Sequence, residues 1–306
     1  MIKQLLAGLS LLLCGSPAAM AGDSRWGLVN VSVAHLRGEP RHASEMVSQA
    51  ILGTPLRLEE RTGDWWRVES PDGYSAYIID NSIVALDSAA MAHWRQSPRV
   101  VVTSLREIEV NDSCGVRQWE AVNASIMTGD FDQAADSCRV TMPDGRAGYV
   151  ATADVMPFEQ WGALRPDSGR LLNMARSMFG TPYLWGGMSS KSLDCSGFVR
   201  VCYMSAGLIL PRDASQQACV GLEIGVEDLE AGDLLFFGNA DTRRINHVAI
   251  YEGDGRFIHS SGRVRRDEWS QAVPHRLFFI KAMRVIGREC TPGIVRVIDH
   301  PWYFHR

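Results

Sequence analysis

The phrase PDGYSAY at residues 71–77 returns as PDGRAGY at residues 143–149, and each copy sets Pro-Asp-Gly between β-type runs. Such a turn forces a tight reversal: Pro presets its own φ, the Asp side chain closes the turn, and Gly accepts a positive φ. Around the first copy, GLVNVSVAHL, AILGTPLRLEE and DWWRVESPDGYSAYIID are broken by Gly53, Gly63 and Pro71-Asp72-Gly73, the pattern of a small barrel of short strands. Around the second, RVVVTSLREIEV, VRQWEAVNASIMTG and CRVTMPDGRAGYVATADV echo it. The echo predicts an internal duplication, with barrels at 22–90 and 91–160. DSAAMAHWRQS lies between them without β alternation and reads as a linker or short helix.

After Met156 the texture changes. Residues 167–178 space Leu171, Leu172, Met174, Ala175 and Met178 along one helical face behind an Asp167/Ser168 cap. The next segment, DCSGFVRVCYMSAG, puts Phe198, Val199, Cys202, Tyr203 and Ala206 on one face, with Asp194 as cap and Gly207 as stop. Strand-like runs follow at 233–238, 247–251, 256–260 and 277–285. Helices first and a sheet afterwards predict an α+β domain over 161–290. Residues 291–306, ending in IVRVIDHPWYFHR, are left as a tail, either a strand returning to a barrel or a loose end. A chain of 306 residues has room for such a three-part arrangement.

The first 21 residues combine Lys3, an apolar run from Leu5 to Leu13 and small residues around Ala19-Met20-Ala21. That is the pattern of an export signal cleaved after Ala21, and the run is too short to span a bilayer. Lipidation at Cys14 is the less favoured alternative, because Leu13 stands where lipoprotein signals carry a small residue. Removing Lys3 with the signal leaves 30 Lys+Arg against 35 Asp+Glu, a formal charge of −5. A mildly acidic chain without a dense basic run is a poor nucleic-acid binder. The mature chain would keep Cys114, Cys138, Cys195, Cys202, Cys219 and Cys290, and an oxidising compartment would let Cys114 and Cys138 staple the second barrel.

Cys195 stands apart from the other cysteines because it belongs to the first turn of its helix, behind a loop with Gly186 and Gly187. A helix N-terminus favours a thiolate, the nucleophilic form, whereas Cys202 on the core face is a small buried residue. A thiol nucleophile also needs a base and a group to orient that base. His247 and His259 lie on strands joined around Glu252-Gly253-Asp254-Gly255, and pairing about Gly253 sets them opposite each other. Even a shift of two residues leaves them diagonal on one face. One Cys and two His would also suit zinc, but no fourth ligand stands at short spacing and neither HExxH nor CxxC occurs. No metal or cofactor is expected.

Through DCSGFV, LPRDASQQ, GDLLFFG and HVAIYEGDGRFIHSSG, residues of about 165 to 287 resemble the NlpC/P60 family of cell-wall cysteine peptidases. The resemblance implies a papain-like core that hydrolyses the bond between γ-D-glutamate and a diamino acid in peptidoglycan stem peptides. It makes Cys195 the nucleophile, His247 the base and His259 the orienting residue. The N-terminal region, through AHLRGEPRHASEMVSQAILGTPLRLEE, resembles bacterial SH3-like domains. Two such barrels before this core resemble the subgroup acting on peptides with a free N-terminal L-alanine, in which the first barrel closes one end of the cleft.

A free ammonium bound in a closed cleft needs anionic or carbonyl partners. Asp194 and Ser196 beside the nucleophile, and Glu45 and Tyr74 of the first barrel, are the candidates. Ser215 is a weaker one, since relatives carry Ser or Thr directly behind Pro-Arg where this chain has Asp213-Ala214. Tyr183 and Trp185 are expected along the cleft. Two other functions fit parts of the pattern: a catalytically silent wall-binding protein, and a papain-like amidase or acyltransferase on another substrate. The complete Cys/His/His set argues against the first, and barrels without any lipid- or protein-binding signature argue against the second.

Overall fold

The computed structural model describes residues 25–273 and 276–304. The expected export signal lies outside them. The first barrel comprises β1 (Trp26–Val29), β2 (Val33–Arg37), β3 (Met46–Ile51), β4 (Pro55–Thr62), β5 (Trp65–Glu69), β6 (Ser75–Ile79) and β7 (Ile83–Leu86). Helix α1 (Ser88–Gln96) leads to the second, which comprises β8 (Arg99–Val102), β9 (Ile108–Asn111), β10 (Arg117–Ala121), β11 (Ile126–Gly129), β12 (Ser137–Thr141), β13 (Ala147–Ala151) and β14 (Val155–Pro157). The spatial order is β3-β2-β6-β5-β4-β1-β7 in one and β10-β9-β13-β12-β11-β8-β14 in the other. These are the same permutation, and each barrel enters its last strand through a 3-10 turn, at Asp80–Ser82 and Thr152–Asp154. The duplication heard in one phrase therefore extends to the whole topology.

The Cys114–Cys138 pairing that the sequence left open is not made among the described residues. Strand alternation turns Cys138 into the second barrel's core, where its thiol donates to the Asp130 carbonyl at 3.5 Å, while Cys114 sits in an exposed turn. All six cysteines among the described residues are free.

After α2 (Phe158–Gly162), helix α3 (Ser168–Ser177) starts where the cap predicts, with the Asp167 carboxylate accepting the Arg170 N–H at 2.8 Å. A small hairpin, β15 (Met188–Ser189) and β16 (Ser192–Leu193), then delivers the chain to α4 (Cys195–Ser205). Beyond it come β17 (Leu208–Ile209), α5 (Ala214–Gln217), β18 (Leu222–Ile224), β19 (Leu234–Gly238), β20 (Ile245–Gly253), β21 (Arg256–Ser261), β22 (Arg263–Glu268), α6 (Trp269–Ala272) and β23 (Phe278–Arg284). An antiparallel sheet runs β18-β23-β19-β20-β21-β22. The apolar faces of α3 and α4 bury Leu171, Met174, Phe198, Val199 and Cys202 against Phe236, Val248, Ile250 and Ile258 of this sheet. Strand β22 escaped the sequence reading because RVRRDE holds one apolar residue, Val264. It is a sheet edge, where charged side chains guard the unpaired backbone.

The tail does pair, but with the catalytic domain: β24 (Val295–Arg296) runs antiparallel to β17. Tyr303 and Phe304 then fill a core shared by all three parts, with Leu28, Trp94, Val101, Ile126, Phe158 and Trp161. The buried Arg99 guanidinium lies over Trp94, Phe158 and Phe304 and donates to the Tyr303 carbonyl at 2.8 Å. Burial pulls its pKa down to about 10.

Candidate active site

Cys195 opens α4 beneath a cap that does more than end the helix. Asp194 accepts the Gly197 N–H at 2.6 Å on one oxygen and the Gly186 N–H at 3.0 Å on the other, tying the helix start to the preceding loop. Two glycines make that approach possible. A Cβ on Gly197 would lie 2.0 Å from the Gly187 carbonyl oxygen, and one on Gly186, at φ +78°, would lie 2.3 Å from the Met46 carbonyl oxygen of the first barrel. The glycines of WGG and DCSG thus allow loop, helix and barrel to meet at the thiol.

Arg212, only 2% exposed, grips both neighbours of the nucleophile. Its Nη atoms donate to both carboxylate oxygens of Asp194, and Nη1 reaches Ser196 Oγ at 2.9 Å. Its Nε donates to Ser48 Oγ of β3 at 2.9 Å. Gln217, also buried, donates to the Ser196 carbonyl at 3.1 Å. Asp194 and Ser196 therefore flank the sulfur with side chains already committed to one another and to Arg212. The phrase LPRDASQQ drew attention through its serine, yet Ser215 is exposed and Arg212 and Gln217 make the contacts.

The imidazoles meet as expected. Strands β20 and β21 pair Ile250 with Ile258 and Tyr251 with Phe257, two residues off pairing about Gly253, so His247 and His259 are diagonal rather than opposite. His247 Nε2 lies 2.8 Å from His259 Nδ1. The nitrogen of His247 left for the thiol is Nδ1. Cys195 Sγ lies against the same strand, where it is hydrogen-bonded by the backbone of Val248 as well as of Ser196.

Electrostatics here differ from the expectation of a thiolate held by its helix. Burial lifts the Cys195 pKa to about 11 and the Asp194 charge adds to it, against the backbone bonds from Val248 and Ser196 and the Arg212 charge. Burial drops His247 to about 3, reinforced by His259 and Arg265, and drops His259 to about 3, reinforced by Arg265 and Arg276. The unliganded site therefore rests as neutral thiol and neutral imidazole. The helix terminus loses because a carboxylate caps it and little water reaches the sulfur.

The first barrel touches the loop before the nucleophile. Trp185, 61% exposed, donates its indole N–H to Glu45 at 2.6 Å, and the Met188 N–H donates to Gln49 at 2.8 Å. Tyr74 is half-buried, with its pKa raised by burial and by Asp213, Asp72 and Glu45 against the pull of Arg212. Tyr183 stands nearer the thiol: burial first, then the Cys195 and Asp194 charges, push it up to about 12. Glu45 thus meets Trp185, and Tyr74 and Tyr183 both lie within electrostatic reach of Arg212.

A buried thiol at the head of a helix, laid on an antiparallel sheet whose strands carry paired imidazoles, is the architecture of papain-like cysteine peptidases. Comparison with known proteins narrows the class: residues 180–282 match the NlpC/P60 family, and residues 36–83 match the bacterial dipeptidyl-peptidase Sh3 domain. The catalytic domain is an NlpC/P60 cysteine peptidase domain. The chain is 29% identical over 230 residues to a gamma-D-glutamyl-L-lysine dipeptidyl-peptidase of Bacillus cereus, covering 72% of this chain and 68% of that one. It is 40% identical over 216 residues to a gamma-DL-glutamyl hydrolase of Bacillus subtilis, covering 70% of this chain and 43% of the relative. A solved NlpC/P60 family structure from Bacillus cereus matches the fold with a TM-score of 0.75 at 24% identity, over 85% of this chain and 99% of that one. Both of the sequence relatives are named for hydrolysis at glutamyl residues. No helix among the described residues is long and apolar enough to cross a membrane.

Proposed function

We propose that the protein is an exported endopeptidase that cuts the γ-D-glutamyl–diamino acid bond of peptidoglycan stem peptides carrying a free N-terminal L-alanine. The observation that carries this reading is the contact of the first barrel with the loop before the nucleophile, where Glu45 bonds Trp185 and Tyr74 stands among Asp213, Arg212 and Glu45. Glu45 would offer the ammonium of a short acyl group a carboxylate. Asp194 contributes less, because Arg212 already neutralises it. The relative named gamma-D-glutamyl-L-lysine dipeptidyl-peptidase supports the same bond and product length.

In the reaction, the Cys195 thiol proton passes to His247 Nδ1 and the sulfur attacks the γ-glutamyl carbonyl. Asp194 occupies the Gly197 amide and the Ser196 amide bonds the sulfur, so the Cys195 amide is the donor left for the oxyanion. His247 returns its proton to the departing diamino-acid amine, leaving an acyl-enzyme. Water, giving a proton to His247, then releases L-Ala-γ-D-Glu and restores the thiol.

The test is turnover of L-Ala-γ-D-Glu-meso-diaminopimelate beside the same peptide capped at its amine. Cys195→Ala should abolish release of the diamino acid without loss of fold. Capping should cost about 10- to 100-fold in kcat/KM, the worth of one charge-assisted contact. Equal cleavage of both peptides would remove the free-alanine specificity and leave the peptidase, whereas turnover by Cys195→Ala would remove the nucleophile.

A further inference from the structure

Two imidazoles joined by one hydrogen bond have two proton arrangements, and only one can work here. If His259 donates from Nδ1, then His247 accepts at Nε2 and carries its own proton on Nδ1, the nitrogen needed to receive the thiol proton. If His247 donates from Nε2, its Nδ1 is bare and His259 carries its proton on Nε2. The choice is made at the far end of the pair, at His259 Nε2.

That nitrogen has two competing neighbours, both from the edge strand. Arg265 Nε, a donor, lies 3.3 Å away and favours the idle arrangement. Asp267 Oδ2, an acceptor, also lies 3.3 Å away and favours the working one. Register explains the pairing: His259 lies opposite Arg265 on β22, and Asp267, two residues on, shares its face. The carboxylate is 13% exposed and steadied by Arg265 Nη2 and Arg276 Nη2, each at 3.2 Å. His259 itself is 1% exposed, so no water competes freely for its nitrogen.

Resting on the assignment of Cys195, His247 and His259 above, we propose that Asp267 is the positioning residue of this site, accepting the Nε2 proton of His259 so that His247 keeps Nδ1 bare toward the thiol. The proton balance demands it once the reaction starts. When the thiol proton reaches His247 Nδ1, the imidazolium bears protons on both nitrogens. Its Nε2–H then needs an acceptor at His259 Nδ1, so the His259 proton must sit on Nε2 and face the carboxylate. Arg265 holds Asp267 in place and yields the nitrogen in that state.

The experiment is nitrogen-15 NMR of the histidine side chains in the inactive Cys195→Ala protein, with kinetics of Asp267→Asn and Arg265→Gln in the active one. With Asp267 intact, both imidazoles should be protonated on Nε2; in Asp267→Asn both should move toward Nδ1. Asp267→Asn should lose about 100-fold or more in kcat with little change in KM, the signature of a wrong tautomer rather than weaker binding. Arg265→Gln should lower kcat by less than Asp267→Asn does, because Arg276 still holds the carboxylate. A His259 proton found on Nδ1 beside an intact Asp267, or an Asp267→Asn enzyme with wild-type kcat, would overturn the proposal. The NMR reading needs no turnover, so it stands or falls separately from the nucleophile assignment, which retained activity in Cys195→Ala would sink instead.

Discussion

The two barrels share one topology and one turn phrase, yet their turns face different partners. In the first, Asp72 pairs with Arg200 of the nucleophile helix at 3.2 Å, with side chains 1% and 12% exposed, and Tyr74 stands beside Arg212. In the second, the corresponding Asp144, 28% exposed, accepts from Asn30 of the first barrel at 2.9 Å and pairs with Arg146 of its own turn. Arg146, where the first barrel has Tyr74, lies over Trp119. A fold copied twice thus diverged in the side chains on its turns. The turn of the first copy packs on the nucleophile helix, and that of the second meets the first barrel.

Breaking the buried pair should produce the largest contrast. Asp72→Ala strands the Arg200 charge against the helix that bears the thiol and should destabilise the protein by about 3–5 kcal/mol. Asp144→Ala, at a wetter site, should cost under about 1 kcal/mol. Denaturant unfolding of both variants checks this, and equal losses would erase the distinction between the barrels. Next in size is substrate affinity: Glu45→Gln should raise KM for the free-amine peptide about tenfold or more, while Arg146→Ala leaves it unchanged. Smallest is the second barrel's own contact with the loop before the nucleophile, where Glu107 bonds Ser190 at 2.6 Å and Glu120 bonds Lys191, all on the surface. Glu107→Gln should change stability by less than about 1 kcal/mol and leave kcat/KM within about twofold.

Elements with strong periodicity were legible before any coordinates. The helices at Asp167 and Asp194 start at their caps, and the strands around His247 and His259 fall where alternation placed them. What escaped depends on contacts far apart in the chain. Arg212 reads as an ordinary charge until Asp194, eighteen residues away, and Ser48, in another domain, close around it. Asp267 was hidden in a charged edge strand whose pattern resembles a loop. The upward pull on the Cys195 pKa was hidden too, because burial, its main cause, and the charge of the capping Asp194 both depend on the folded surroundings. The tail was unreadable since its aromatics acquire partners only when three separate cores are present.

That tail joins the three parts. Tyr303 and Phe304 complete the hydrophobic seal among the barrels and the peptidase core, and they follow every other part of that seal along the chain. Each barrel has an interior of its own, but the joint between them is complete only with Tyr303 and Phe304 in place. The mutual placement of barrels and peptidase core is thereby tied to two side chains that belong to none of those separate interiors.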